Sequence, residues 1–178
     1  AIDVRSGAWR VSYEIRCRTA VRKATKAGVQ VIEYPMQDVV GRFAAYYREG
    51  MQRIAAPPFY LFSDAYFQAL SDVPGLRLLA CVLNGEWLAA GLFLTGGYCI
   101  EYHLSATSER GRQLSATNLL IDAAAQWASD QRLSMVYLGG GNDTLLNNSL
   151  LRFKAGFSPL RLTYCYSYAI HDPARYED

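Results

Sequence analysis

Apolar residues recur at helical spacing in some stretches of this chain and alternate in others, and the changes of period divide it into elements. Over residues 16–27, Cys17, Ala20, Val21 and Ala24 share one arc at 100° per residue, with Arg16, Arg18, Arg22, Lys23 and Lys26 opposite. Gly28 follows as a C-terminal glycine. Val29–Tyr34 reads as a short strand. A second helix is expected from a cap at Asp38, with the stripe Val39, Val40, Phe43, Ala44, Tyr47, Met51 and Ile54, broken by Pro57-Pro58. Ser63 can cap a third helix to about Leu70, with Phe62 and Phe67 placed as a hydrophobic staple.

The period then shortens. Leu76–Leu83, Glu86–Thr95 and Tyr98–Ala106 read as strands joined by Asn84-Gly85 and Gly96-Gly97, an antiparallel meander. A polar loop is expected over Thr107–Leu114, then a helix capped by Ser115 and running to about Arg132, with Ala116, Leu119, Leu120, Ala123, Ala124, Trp127 and Ala128 on one face. Met135–Leu138 reads as a strand ending in Gly139-Gly140-Gly141. Asp143 or Thr144 can cap a further helix with Leu146, Leu150 and Phe153 as its stripe, closed by Gly156. Leu160–Ile170, with Tyr164, Tyr166 and Tyr168, reads as a last strand whose aromatics pack on the sheet. The segment 98–138 should form a right-handed crossover between parallel neighbours. The whole is an α/β (α+β) arrangement: a mixed, mostly antiparallel sheet flanked by helices.

Composition bounds the rest. With 178 residues and 51% hydrophobic content the chain holds one domain with a sizeable core. No apolar run approaches the roughly 18 residues needed to span a bilayer, so no membrane insertion is expected. Ala1-Ile2-Asp3 lacks the pattern of a secretory signal, and a cytoplasmic location follows as the expectation. Ala1 in place of an initiator Met suggests processing or excision from a longer chain. The net charge of +2 hides an asymmetry. Residues 1–28 carry seven bases against two acids, and the remainder eleven bases against fourteen acids. The basic segment is thus +5 and the body −3.

Candidate chemistry is sparse. Cys17, Cys81, Cys99 and Cys165 are widely spaced without CxxC, so no metal site is expected, and Cys81 and Cys99 read as buried thiols. His103 and His171 lie in no nucleophile motif. Ser108-Glu109-Arg110-Gly111-Arg112-Gln113, ahead of the helix capped by Ser115, offers two arginines and a helix N-terminus to a phosphate; it reads equally as a solvated connection. Tyr102 and His103 are adjacent on a strand and face opposite sides. His103 could take a proton from an amine, or be a hydrogen-bonded, half-buried histidine.

The order of elements resembles the GNAT acyltransferase fold, and its detail resembles the Fem-type branch, the peptidoglycan-bridge aminoacyl transferases. Three stretches carry the likeness. The first, Arg18 to Val29, is similar to the family's R-x-x-x-R-K-A-x-K-x-G-V helix. The second is Tyr102-His103-Leu104-Ser105-Ala106, followed by Ser115-Ala116 and Leu119-Leu120. The third is Leu138-Gly139-Gly140-Gly141, followed by Ser149–Phe157.

The resemblance implies N-acyl or N-aminoacyl transfer to an amine, with no tightly bound cofactor. The donor, aminoacyl-tRNA or acyl-CoA, would lie in a notch where strand 98–106 parts from strand 135–138. Backbone N–H groups near Leu104, Ser105 and Ala106 would polarise its carbonyl, and Arg110, Arg112 and Ser115 would lie along its phosphates. Phe153-Lys154 matches a Phe-Lys pair of the active centre; as a plain structural feature, Lys154 is a cation at a helix C-terminus. Arg18, Arg22, Lys23 and Lys26 would hold tRNA or a phosphorylated cell-wall precursor, or form a solvated face. The sequence departs from coenzyme-A users, which carry R/Q-x-x-G-x-G/A before the long helix. Aligned on Leu119-Leu120, Leu114 and Ala116 take the two small positions, and Leu114 would obstruct a pyrophosphate. An acetyl-CoA-dependent N-acetyltransferase and a catalytically silent binding domain for nucleic acid or protein are the rival readings. Fem-type proteins usually hold two such domains. Residues 1–178 would then be the C-terminal half of a tandem chain, a homodimer standing in for the missing half, or a single-domain relative.

Overall fold

The computed structural model describes residues 1–141, 148–163, 165 and 167–176. Its centre is the pair β3 (Leu76–Leu83) and β4 (Glu86–Gly96), antiparallel and joined at Asn84-Gly85, where φ is 53° and 80°. Both strands are buried on both faces, which is why they read as continuous apolar runs. β5 (Cys99–Thr107) pairs antiparallel with β4, and β2 (Gln30–Tyr34) antiparallel with β3. β6 (Met135–Tyr137) lies parallel to β5, as the crossover requires. β1 (Ile2–Asp3) closes the sheet, in the order β1-β6-β5-β4-β3-β2.

Helices cover both faces. α1 (Ile15–Lys26) and α5 (Ala116–Asp130) pack on one, where Cys17, Ala24, Leu120, Ile121, Phe93, Ile100 and Val136 are buried together. α2 (Met36–Arg53) and α3 (Asp64–Ser71) pack on the other, around Phe43, Tyr47, Phe67, Leu78 and Leu92. β3 shows the division: Leu79 and Cys81 face α1 and α5, while Leu78, Ala80 and Val82 face α2 and α3. α4 (Glu109–Gln113), α6 (Ser149–Ala155) and α7 (Pro173–Tyr176) are short.

Several expectations hold at the level of single caps. The Ser63 hydroxyl accepts from the Tyr66 N–H at 3.3 Å, and the Phe62 and Phe67 rings are 6.3 Å apart, as a staple demands. Others are corrected. α2 starts at Met36 after Pro35, so Asp38 sits in its first turn rather than capping it, and Ile54 lies beyond its end, 58% exposed. The polar loop expected over 107–114 is helical at Glu109–Gln113, because the Ser108 hydroxyl caps it by accepting from the Gly111 N–H at 3.0 Å. Ser115 does precede α5, in the left-handed region with φ 59° and no side-chain cap bond. α6 is capped by Asn148, which accepts from the Leu151 N–H at 2.8 Å; Asp143, Thr144 and Leu146 lie outside the described residues. Leu150, assigned to its apolar stripe, is exposed. Cys81 is buried but Cys99 only partly so.

The strand expected over Leu160–Ile170 does not form among its described residues, and Tyr168 is 79% exposed instead of packing on the sheet. Tyr164 and Tyr166 lie outside the described residues. The outer edge of β6 is already taken: Ile2 pairs with Val136 and Asp3 with Met135.

Candidate active site

β5 and β6 stay paired only from Cys99–Met135 to Glu101–Tyr137. β6 then ends, while β5 continues to Thr107 with no partner on that side among the described residues. Beyond Glu101 the two strands therefore leave a wedge in the sheet. Alternate N–H groups of β5 point away from β4 along it, free of the ladder.

A β-bulge shapes the wedge. Leu92 pairs with Leu104 and Phe93 with Tyr102, so His103 is an extra residue in β5. Tyr102 remains on the α5 face, its ring 5.4 Å from that of Phe93. His103 points to the α2–α3 face, where its Nε2 lies 3.2 Å from the Tyr66 hydroxyl. The two side chains do face opposite ways, and His103 is half-buried and hydrogen-bonded. Leu104 and Ala106 pack on the α2–α3 side with His103; the Ser105 hydroxyl turns back to share a hydrogen bond with that of Tyr102. Burial pushes the Tyr102 phenol up to about 12, so it stays protonated at neutral pH.

Lys154 comes to the wedge from α6. Its Nζ donates to the Gly140 carbonyl at 2.8 Å and lies 5.9 Å from the centre of the Tyr102 ring, within cation–π range. The turn after β6 makes room for it: Gly139 has φ +70°, and a Cβ there would stand 3.4 Å from the ammonium. Among the described residues no carboxylate is within salt-bridge reach of Lys154. Burial holds its pKa below the usual lysine value. Phe153 faces elsewhere, edge-on to Phe157 at 5.5 Å in the α1–α5 core. A cavity of about 590 Å³ opens beside Lys154, lined also by Glu101, Tyr137, Gly139–Gly141 and Arg161.

The segment before α5 is occupied by its own bonds. The N–H groups of Gly111, Arg112, Leu114 and Ser115 donate to Ser108, Ser108, Arg110 and Arg112. Gly111 is pressed onto β4, where a Cβ would fall 1.8 Å from the Leu88 carbonyl oxygen. Arg110 pairs with Glu86 at 2.6 Å and Arg112 with Glu109 at 3.8 Å. On α1, Arg22, Lys23 and Lys26 are exposed and free of ion pairs among the described residues. Arg18 is half-buried and donates to the Tyr13 carbonyl. No cluster of three or more His, Cys, Asp or Glu among the described residues could hold a metal ion.

The wedge between two parallel strands, followed by a helix crossing one face, is matched by sequence. Residues 13–154 match the model of the acetyltransferase (GNAT) domain. The chain belongs to the GNAT family. Among curated proteins, none matches it in sequence. This GNAT domain superposes on the crystal structure of FemX with a TM-score of 0.76 at 15% identity, over 88% of this chain and 57% of FemX. An aminoglycoside acetyltransferase from an uncultured soil metagenomic sample, in complex with sisomicin, gives 0.59 at 12% identity, over 81% and 97%. A ribosomal-protein-alanine N-acetyltransferase from Brucella melitensis biovar Abortus 2308 gives 0.58 at 15%, over 81% and 99%. The fold is thus that of acyltransferases, including a Fem-type one, and the chain spans little more than half the length of FemX. No helix among the described residues is long and apolar enough to cross a membrane.

Sequence reasoning missed three groups at this site: the Gly140 carbonyl, Tyr66 and Glu101. Glu101 carried a signal as the sole carboxylate in the run Cys99–Thr107, and Gly140 lay in the glycine run already singled out, whereas Tyr66 carried none.

Proposed function

We propose that this GNAT domain transfers an aminoacyl group from aminoacyl-tRNA to a primary amine. The observation that carries the reading is the ammonium of Lys154, held on the Gly140 carbonyl over the Tyr102 ring where β5 and β6 part. In this reading the donor ester lies in the wedge, its carbonyl oxygen toward Lys154 and the N–H of Ser105, the one of residues 104–106 that points away from β4. The amine nitrogen attacks the carbonyl carbon, and the negative charge gathering on oxygen is met by a cation already in place. The intermediate collapses with cleavage of the ester C–O bond. His103 takes the amine proton, and the ribose hydroxyl leaves with a proton in return. Tyr102, neutral at the reacting pH, keeps the ring and its Ser105 bond under the ammonium.

The segment before α5 supports this donor. A coenzyme A pyrophosphate needs open backbone N–H groups there, and those of Gly111, Arg112, Leu114 and Ser115 are already donated. The exposed cations of α1 are the complementary feature: Arg22, Lys23 and Lys26 offer a surface to RNA phosphates. This reading places the domain in the cytoplasm, where charged tRNA is made.

The test is donor competition. Pooled tRNA carrying radiolabelled amino acids should lose label to a fraction of small amines in the presence of the domain. Acetyl-CoA at millimolar concentration should leave the melting midpoint unmoved. An upward shift with acetyl-CoA, with label retained on tRNA, would make the domain an N-acetyltransferase.

A further inference from the structure

The cavity beside Lys154 takes in Glu101 and Tyr137, which pair across β5 and β6. Three charged side chains line it, Glu101, Lys154 and Arg161, beside the Ala1 ammonium, which donates to the Leu160 carbonyl at 3.1 Å. Among the described residues none is matched by an opposite charge. Glu101, half-buried, has neither an ion pair nor a hydrogen bond. Arg161 spends one nitrogen, Nη1, on the carbonyls of Ser158 at 2.8 Å and Leu160 at 3.2 Å, which leaves the rest of its donor fork free. A partly buried carboxylate without a donor is unfavourable for the empty protein. It is repaid when a ligand brings the missing charge.

The reading above assigns Lys154 to the reacting carbonyl. That leaves one carboxylate and one guanidinium for the other substrate, and the geometry points to an acceptor that carries both an amine and a carboxylate. Its ammonium rests on Glu101, and its carboxylate takes the planar fork of Arg161. The inference rests on the proposed reaction only for the identity of this ligand as the acceptor. A polycationic amine is disfavoured, because it would meet Lys154 and Arg161 with a single carboxylate to offset them.

Binding without any acyl donor tests it. The domain is titrated with γ-aminobutyrate, butylamine and butyrate, followed by the amide resonances of Tyr137 and Gly140. γ-Aminobutyrate should bind about tenfold or more tighter than either single-charge analogue. Glu101→Gln should weaken γ-aminobutyrate and butylamine but not butyrate. Arg161→Gln should weaken γ-aminobutyrate and butyrate but not butylamine. Both variants should stay folded with melting midpoints close to the parent's: Glu101→Gln removes an unpaired charge, and Arg161→Gln removes only contacts of an exposed side chain to nearby carbonyls. Equal affinities for all three probes, substitutions that weaken all of them alike, or tighter binding of sisomicin would overturn the proposal. No donor is present, so failure of transfer from tRNA leaves this result standing, and loss of the amine–carboxylate preference leaves the tRNA assay standing.

Discussion

Lys154 is one of three lysines in the chain, and Lys23 and Lys26 both lie on the basic helix. A lysine near a helix C-terminus ordinarily serves the helix dipole, an effect of about 0.3–1 kcal/mol. Here the side chain leaves its own helix and bonds across to Gly140. Burial there disfavours the charged form, so the ammonium is lost at a lower pH than that of a free lysine, 10.5. The unfolded chain binds this proton more tightly than the folded one. The effect on stability is therefore adverse while both forms are charged, and it fades as pH rises through the folded pKa. For activity the sign is opposite. Transfer that needs the cation should decline on the alkaline side below pH 10.5, and Lys154→Arg, always charged, should push that decline upward even where its rate is lower. A decline at the same pH in both proteins would assign it to another group.

At the scale of elements, Gly111 shows how tightly the donor side is built. Its missing side chain lets α4 lie against β4, and a Cβ would overlap the Leu88 carbonyl. Gly111→Ala should lower stability by about 3 kcal/mol or more, read from chemical denaturation. Gly140→Ala, where nothing stands within 4 Å of a Cβ, should cost far less. The elements that depend on an internal period were legible in sequence: α1, α3, β3, β4 and α5 fall within a residue or two of their expected bounds. Those that depend on a partner were not. α4 has five residues, too few to show a stripe, and β1 has two. The bulge at His103 leaves no mark in composition because it depends on the register with β4. The alternation over 160–170 described side chains suited to a sheet, but no pattern says whether a sheet edge is open to receive them.

At the scale of the molecule, the uneven charge becomes a surface. Arg22, Lys23 and Lys26 stand exposed on α1, which packs beside α5 on the face of the sheet that carries Tyr102. If this helix meets RNA, tRNA affinity should fall steeply from low to moderate salt. Replacing all three cations by Gln should flatten that dependence by about two to three in the log–log slope, because each phosphate contact carries about one released counterion. Affinity that is flat with salt in the parent would exclude an electrostatic role for α1. The same face is tied together by Arg10, which donates to buried Asp122 of α5 at 2.8 and 2.9 Å. The residues of the site itself come from β5, α6 and the glycine turn, which are far apart in sequence. The family likeness named Tyr102, His103 and Lys154, while only the structure brings Gly140 and Glu101 to them.

The role proposed for the Lys154 ammonium is to stabilise the reacting carbonyl. It is tested most directly by Lys154→Met, assayed for transfer from pooled aminoacyl-tRNA and for thermal stability side by side. Its rate should fall by about a hundredfold or more, as when one preorganised oxyanion donor is removed, with a melting midpoint nearly unchanged. Transfer at the parent rate by a folded Lys154→Met protein would contradict it.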